Sequence, residues 1–223
     1  MKCLKTMLVT LAVPMFLGGP AMLYAAADVD SGFLPDYTRL KTDPDYPSSR
    51  SWVNPEARLG DYNTIIIDPV TVHLSPSLIK DGARPDAELL NQVTDYFHDA
   101  LTREFKSKKW NVMDKAGDNV ARYRAAITGI NAVDGLSSNP LHYMPAVFLV
   151  RAASGKTSTK AHINMESSYS DSVTGQTLGE IIQAATGESV SGDQITLDNL
   201  KDAVDKWARK AAEGFTKARN KQQ

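Results

Sequence analysis

The stretch Asp61–Leu74, DYNTIIIDPVTVHL, limits the fold more than any other part of the chain. Ile65, Ile66 and Ile67 are three β-branched residues in a row. A strand with one wet face alternates apolar and polar side chains, so an unbroken run predicts a strand buried on both faces. Pro69 has no N–H to give to a ladder. After it, Val70, Val72 and Leu74 alternate, which predicts a half-buried continuation. The helix and strands that follow must cover this strand.

The segment before it has a different character. Residues 28–60 carry Pro35, Pro44, Pro47 and Pro55 among Asp, Ser and Asn, and predict a non-regular or polyproline-like arm. Phe33, Leu34, Tyr37, Leu40, Tyr46 and Trp52 are spread through it, too much apolar surface for a solvated linker. The arm is expected to pack on the domain or to dock a partner, with Phe33, Tyr37, Tyr46 and Trp52 as the candidate docking residues.

Ahead of the arm, residues 1–27 read as a secretory signal. Lys2 and Lys5 precede an apolar run from Met7 to Leu17, Gly18-Gly19-Pro20 break it, and Ala25 and Ala27 stand at −3 and −1 of a cut before Asp28. The run is too short to span a bilayer, which takes about 20 residues. Cleavage leaves 196 of 223 residues, enough for a sizeable core. It also lowers Lys+Arg from 25 to 23 against 26 Asp+Glu, so the net charge moves from −1 to −3. Without a basic block, nucleic acid is not an expected partner. Cys3 is the only cysteine and lies inside the signal, so the mature chain has neither disulfide nor lipidated cysteine. Export without disulfides fits a soluble periplasmic protein with no transmembrane helix after cleavage.

Beyond the central strand, Pro76–Pro85 predicts a turn region. Asp86 opens a helix with Ala87, Leu90, Val93, Tyr96, Phe97, Ala100, Leu101 and Phe105 at helical spacing. Trp110–Met113 predicts a short strand and Asn119–Val133 a long one, with a bulge or bend at Gly129. Met144–Val150 is apolar, a short strand or a helical turn. In Thr159–Tyr169, Ala161, Ile163, Met165 and Tyr169 are expected inside, and Lys160, His162, Asn164 and Glu166 in water. Asp171–Gly175 predicts the turn of a hairpin, with return strand Gln176–Gln183 and a flexible link over Thr186–Ile195. Leu197–Lys217 predicts the last helix, buried through Leu200, Val204, Trp207, Ala208, Ala211 and Phe215. This order predicts an α+β fold, an α/β sandwich. Its mixed, largely antiparallel sheet is covered on one face by two long helices and preceded by the extended arm. Residues 61–223 are expected to form a single domain.

No complete catalytic constellation stands in the sequence. His73, His98, His142 and His162 lack metal-ligand spacing, and no metal or cofactor is expected. Ser154-Gly155-Lys156-Thr157 resembles the end of a phosphate loop, but Val150 stands where the first glycine belongs. Gly187-Glu188-Ser189-Val190-Ser191 resembles a nucleophile elbow with its last glycine displaced to Gly192. Asp68, before Pro69, is the type of residue that satisfies backbone donors at a kink and is expected to act structurally. Arg122 and Arg124 predict an exposed basic pair.

Several stretches in order are similar to one family of bacterial envelope proteins, the domain of unknown function 3313. They are Ser31–Tyr37 with Arg39-Leu40, Tyr62 with Ile65–Val70, Ala116-Gly117-Asp118 with Arg124–Thr128, Asp171–Gly175, and Trp207-Ala208. The resemblance implies a periplasmic or outer-membrane-associated protein and brings no reaction and no catalytic residues. Members commonly look like lipoproteins, and this sequence departs there because no cysteine follows its signal. The expected function is that of a non-enzymatic envelope accessory or binding protein with an envelope protein partner. The alternative is a hydrolase-type enzyme acting on an envelope polymer or small molecule, with Asp68, His73 and Glu166 as its first candidates.

Overall fold

A computed structural model describes residues 31–43, 46–73, 86–134, 159–190 and 195–222. The turn region before the first helix, the Met144–Val150 run, His142 and the signal lie outside the described residues, apart from Asp86 at the helix cap. Eight strands and two helices follow in the order β1 (Lys41–Asp43), β2 (Tyr46–Val53), β3 (Thr64–Ile67), β4 (Thr71–Val72), α1 (Ala87–Ser107), β5 (Asn111–Val112), β6 (Val120–Asp134), β7 (Thr159–Asp171), β8 (Thr177–Ser189) and α2 (Leu197–Asn220). The sheet order is β1-β2-β8-β7-β6-β3-β5, with β4 also on β6. β6, β7, β8 and β2 pair antiparallel, whereas β3 and β4 run parallel to β6. This is the mixed, largely antiparallel α+β sheet that the order of elements predicts.

β3 is buried at all four positions, as its isoleucine run demands. Ile67 pairs with Tyr123 and Thr71 with Ala126, so three residues, Asp68 to Val70, oppose two on β6. The extra residue is a bulge by count, and it places Pro69 where no ladder donor is needed. The Asp68 N–H donates to Tyr123 O at 3.0 Å, Arg122 Nε donates to its carboxylate at 3.1 Å, and His98 Nδ1 lies 3.3 Å from its carbonyl. Asp68 is a structural pivot, and Arg122 is its partner rather than half of an exposed basic pair.

Both helices lie on one face. Asp86 caps α1 through Glu88 N–H at 2.9 Å. The buried stripe of α1 runs through Leu89, Val93, Phe97, Ala100, Leu101 and Phe105, so Leu89 goes in while Ala87 stays exposed and Leu90 only half buried. The core is aromatic: Trp110 stacks on Phe215 (5.0 Å), Phe215 on Tyr169 (4.1 Å), and Tyr169 leans on Tyr123 (4.6 Å). Phe97 meets Trp207 edge-on at 4.4 Å. The β7–β8 hairpin forms as predicted, with Gly175 at φ 72° in its turn.

Two expectations change. Part of the expected non-regular arm is strand, because β2 adds to the sheet along β8 from Ser49 to Val53. Pro47 sits before that ladder begins, where a missing donor costs nothing. The expected link over Thr186–Ile195 starts later, since β8 continues to Ser189. Its Gly187 passes so close to α2 that a Cβ there would overlap the Asn199 carbonyl oxygen.

Candidate functional site

The two faces of the sheet are finished in different ways. On the face away from the helices, residues 31–40 lie across β6, β7 and β8. Phe33 rests against Arg124, whose guanidinium is 5.3 Å from the ring, and meets His73 edge-on at 5.9 Å. Tyr37 Oη donates to Glu166 Oε2 at 2.6 Å and accepts from the N–H groups of Gly32 and Leu34 at 3.0 and 3.1 Å. Arg39 holds Glu180 through Nε and Nη2, each at 2.7 Å, and lies 3.8 Å over the Trp52 ring.

These contacts correct the expected wet face of β7. Glu166 is fully buried, and so is Glu180 on β8. Alternation does place both side chains away from the helices, but the arm covers that face. A buried carboxylate is tolerated only when it is paired and hydrogen-bonded, and Arg39 and Tyr37 supply these bonds. Burial, and then the bond to Glu166, push the Tyr37 hydroxyl up to about 12. His162 is half buried, and burial lowers its basicity.

On the helix face the described residues leave a strip uncovered, for a geometric reason. Seven strands abreast at about 4.8 Å are roughly 30 Å wide. Two helices of about 10 Å diameter cover only about 20 Å. α1 packs over β3, β4 and β5, and α2 over β7 and β8, so β2 is left outboard. Between α2 and β2 lies a groove of about 350 Å³. Leu178, Gly179 and Ile181 form its floor, and Ser49, Ser51 and Val53 one wall. Trp207, Ala211, Phe215 and Ala218 of α2 form the other, with Leu59 nearby. Val53 is 49% exposed there. A second hollow of about 250 Å³ continues past Gln183 and Trp207 toward His162, Thr186 and Lys206.

Of the candidate docking residues, Phe33, Tyr37 and Trp52 are half buried on the arm face. Tyr46 begins β2. The three enzyme candidates have different surroundings. Asp68 is on Arg122, Glu166 lies under Tyr37, and His73 is exposed beside Phe33. Among the described residues no group of three His, Cys, Asp or Glu is placed to hold a metal, and no helix is long and apolar enough to cross a membrane. The groove is not legible in the sequence because it depends on sheet width against helix count, which is a property of pairing. Its one local signal is Gly214, a glycine inside a strongly amphipathic helix.

The chain resembles several solved structures at low identity. One is the PelC dodecamer from Paraburkholderia phytofirmans, at 10% identity over 75% of this chain and 96% of that one, TM-score 0.42. Another is a minor lipoprotein from Acinetobacter baumannii, at 10% identity over 71% and 93%, TM-score 0.40. Protein XCC0632 from Xanthomonas campestris matches at 12% over 77% and 94%, TM-score 0.41. No curated protein matches the chain. Residues 29–211 match the family model described as a protein of unknown function, DUF3313, and the chain belongs to that family.

Proposed function

We propose that the chain is a non-enzymatic accessory or binding protein of the cell envelope, exported with loss of residues 1–27, and that the α2–β2 groove is its binding surface. The groove carries the reading: an open, mostly apolar trough flanked by hydroxyls, an amide and charges, with the size and character of a ligand site. The buried carboxylates on the other face support a binding role, since they are engaged in holding the arm. On this reading Phe33, Tyr37 and Trp52 hold the arm down, and a partner meets the opposite face. The signal-like N-terminus and the thiol-free mature chain support export.

The test is photo-cross-linking in cells from a benzophenone side chain placed at Val53, in the groove wall. Val173, 63% exposed on the β7–β8 turn, is the control position. A defined adduct from Val53, absent from Val173 and lost when Gly214→Leu fills the groove, is expected. Equal labelling from the two positions, or none from Val53, contradicts the reading.

A further inference from the structure

The occupant of the groove can be narrowed from which of its polar groups are engaged. Four charged side chains along it have partners: Glu180 holds Arg39, Glu213 holds Lys108 at 2.8 Å, Lys206 is paired with Asp202, and Lys210 is engaged as well. Lys217 is exposed to water at the far end of the trough, about 16 Å along α2 from Lys206. The lining therefore does not select a charged ligand.

The uncharged groups differ. Ser49 and Gln183 are direct cross-strand partners on β2 and β8, and both line the groove. Each is only 7% exposed, and among the described residues neither side chain has a hydrogen-bond partner. A buried polar side chain ordinarily has one. A hydroxyl beside an amide offers donors and acceptors without charge. On one side of this pair the trough is apolar along Ile181, Trp207, Ala211 and Phe215, and its floor runs about 16 Å to Leu178. On the other side, the second hollow is lined by Ser48, Thr186 and His162. Burial, and then the charge of Lys160, hold His162 toward its neutral form. The groove thus presents, in order, an apolar channel, a neutral donor and acceptor pair, and a hollow lined by hydroxyls and a neutral imidazole.

We infer that the groove binds a single-chain amphiphile with an uncharged, hydroxyl-bearing head, its chain along Trp207, Ala211 and Phe215 and its head joined to the chain at Gln183 and Ser49. This rests on the groove being the binding surface. The experiment is calorimetric titration of the full mature chain with octyl glucoside, octanoate, octyltrimethylammonium and glucose, the three amphiphiles below their micellar concentrations. Saturable one-to-one binding of octyl glucoside is expected, at least tenfold tighter than of either charged amphiphile or of glucose. The double substitution Ser49→Ala, Gln183→Met is expected to weaken it at least tenfold with no fall in melting temperature, since neither side chain has a bond to lose. Ser49→Ala alone is expected to weaken it roughly threefold, which covers the case of a misfolded double variant. Absence of saturable octyl glucoside binding, equal affinity for a charged amphiphile or for glucose, or unchanged affinity in both variants overturns the inference. A Val53 adduct to a protein, with no octyl glucoside binding, overturns the amphiphile and leaves the binding surface. Absence of both overturns the groove itself.

Discussion

Tyr37 and Arg39 are the residues on which the arm depends. Each meets a carboxylate with no exposed surface, Glu166 and Glu180, across 129 and 141 positions of sequence. Alternation along β7 correctly put Glu166 opposite the core. It could not show that the opposite face is dry, because the cover comes from a segment with no local tie to β7. The pairing sets a pH test. Burial and the Glu166 bond raise the Tyr37 hydroxyl to about 12 from an ordinary 10, so the folded state favours its protonated form. That contribution is fully present below about pH 10 and is lost as pH rises through about 12. Tyr37→Phe also removes a donor to a buried carboxylate, at a cost of about 1–3 kcal/mol. Urea unfolding at pH 8 is expected to show this deficit, and at pH 11 a smaller gap between variant and parent. An equal gap at both pH values contradicts the assignment. Tyr62, raised to about 12 by burial and by Asp171, stays in both proteins and keeps some alkaline loss in the variant.

At the scale of elements, long periodic segments were legible and the sheet edge was not. Both helices and the β7–β8 hairpin follow from spacing, capping and a turn with Gly175 at positive φ. β2 did not announce itself: Tyr46–Val53 reads YPSSRSWV, with a proline and three serines in place of a β-branched run. It is a strand because β8 offers it a ladder, a tertiary cause that overrides local preference. The same holds at the end of β8, where Gly187 falls in a Gly/Ser-rich stretch that resembles a loop. There the backbone of Asn199 on α2 leaves no room for a Cβ. Gly187→Ala is therefore expected to force β8 and the start of α2 apart and to destabilise by about 1–3 kcal/mol. Gly214→Ala, in open space on the same helix, is expected to stabilise by up to about 1 kcal/mol. Thermal melts of the two variants should move in opposite directions, and a neutral Gly187→Ala contradicts the close approach.

For the whole molecule, an aromatic arm of this composition can either lie free to dock a partner or belong to the domain. In the structure it closes one face of the sheet and extends its edge. Among the described residues the open space falls on the other face, where the two helices cannot span the seven strands. Fold class was readable from the order of elements, whereas the candidate site was not, since it arises from what the helices fail to cover. The arm is folded structure, and native-state hydrogen exchange tests this most directly. The amides of Gly32 and Leu34, which donate to Tyr37 Oη, and those of Ser49–Val53 on β2 are the reporters. They are predicted to be protected in the native protein and to lose protection on Tyr37→Phe ahead of β6 and β7. Exchange of the arm at unprotected rates, while β6 and β7 remain protected, would contradict it.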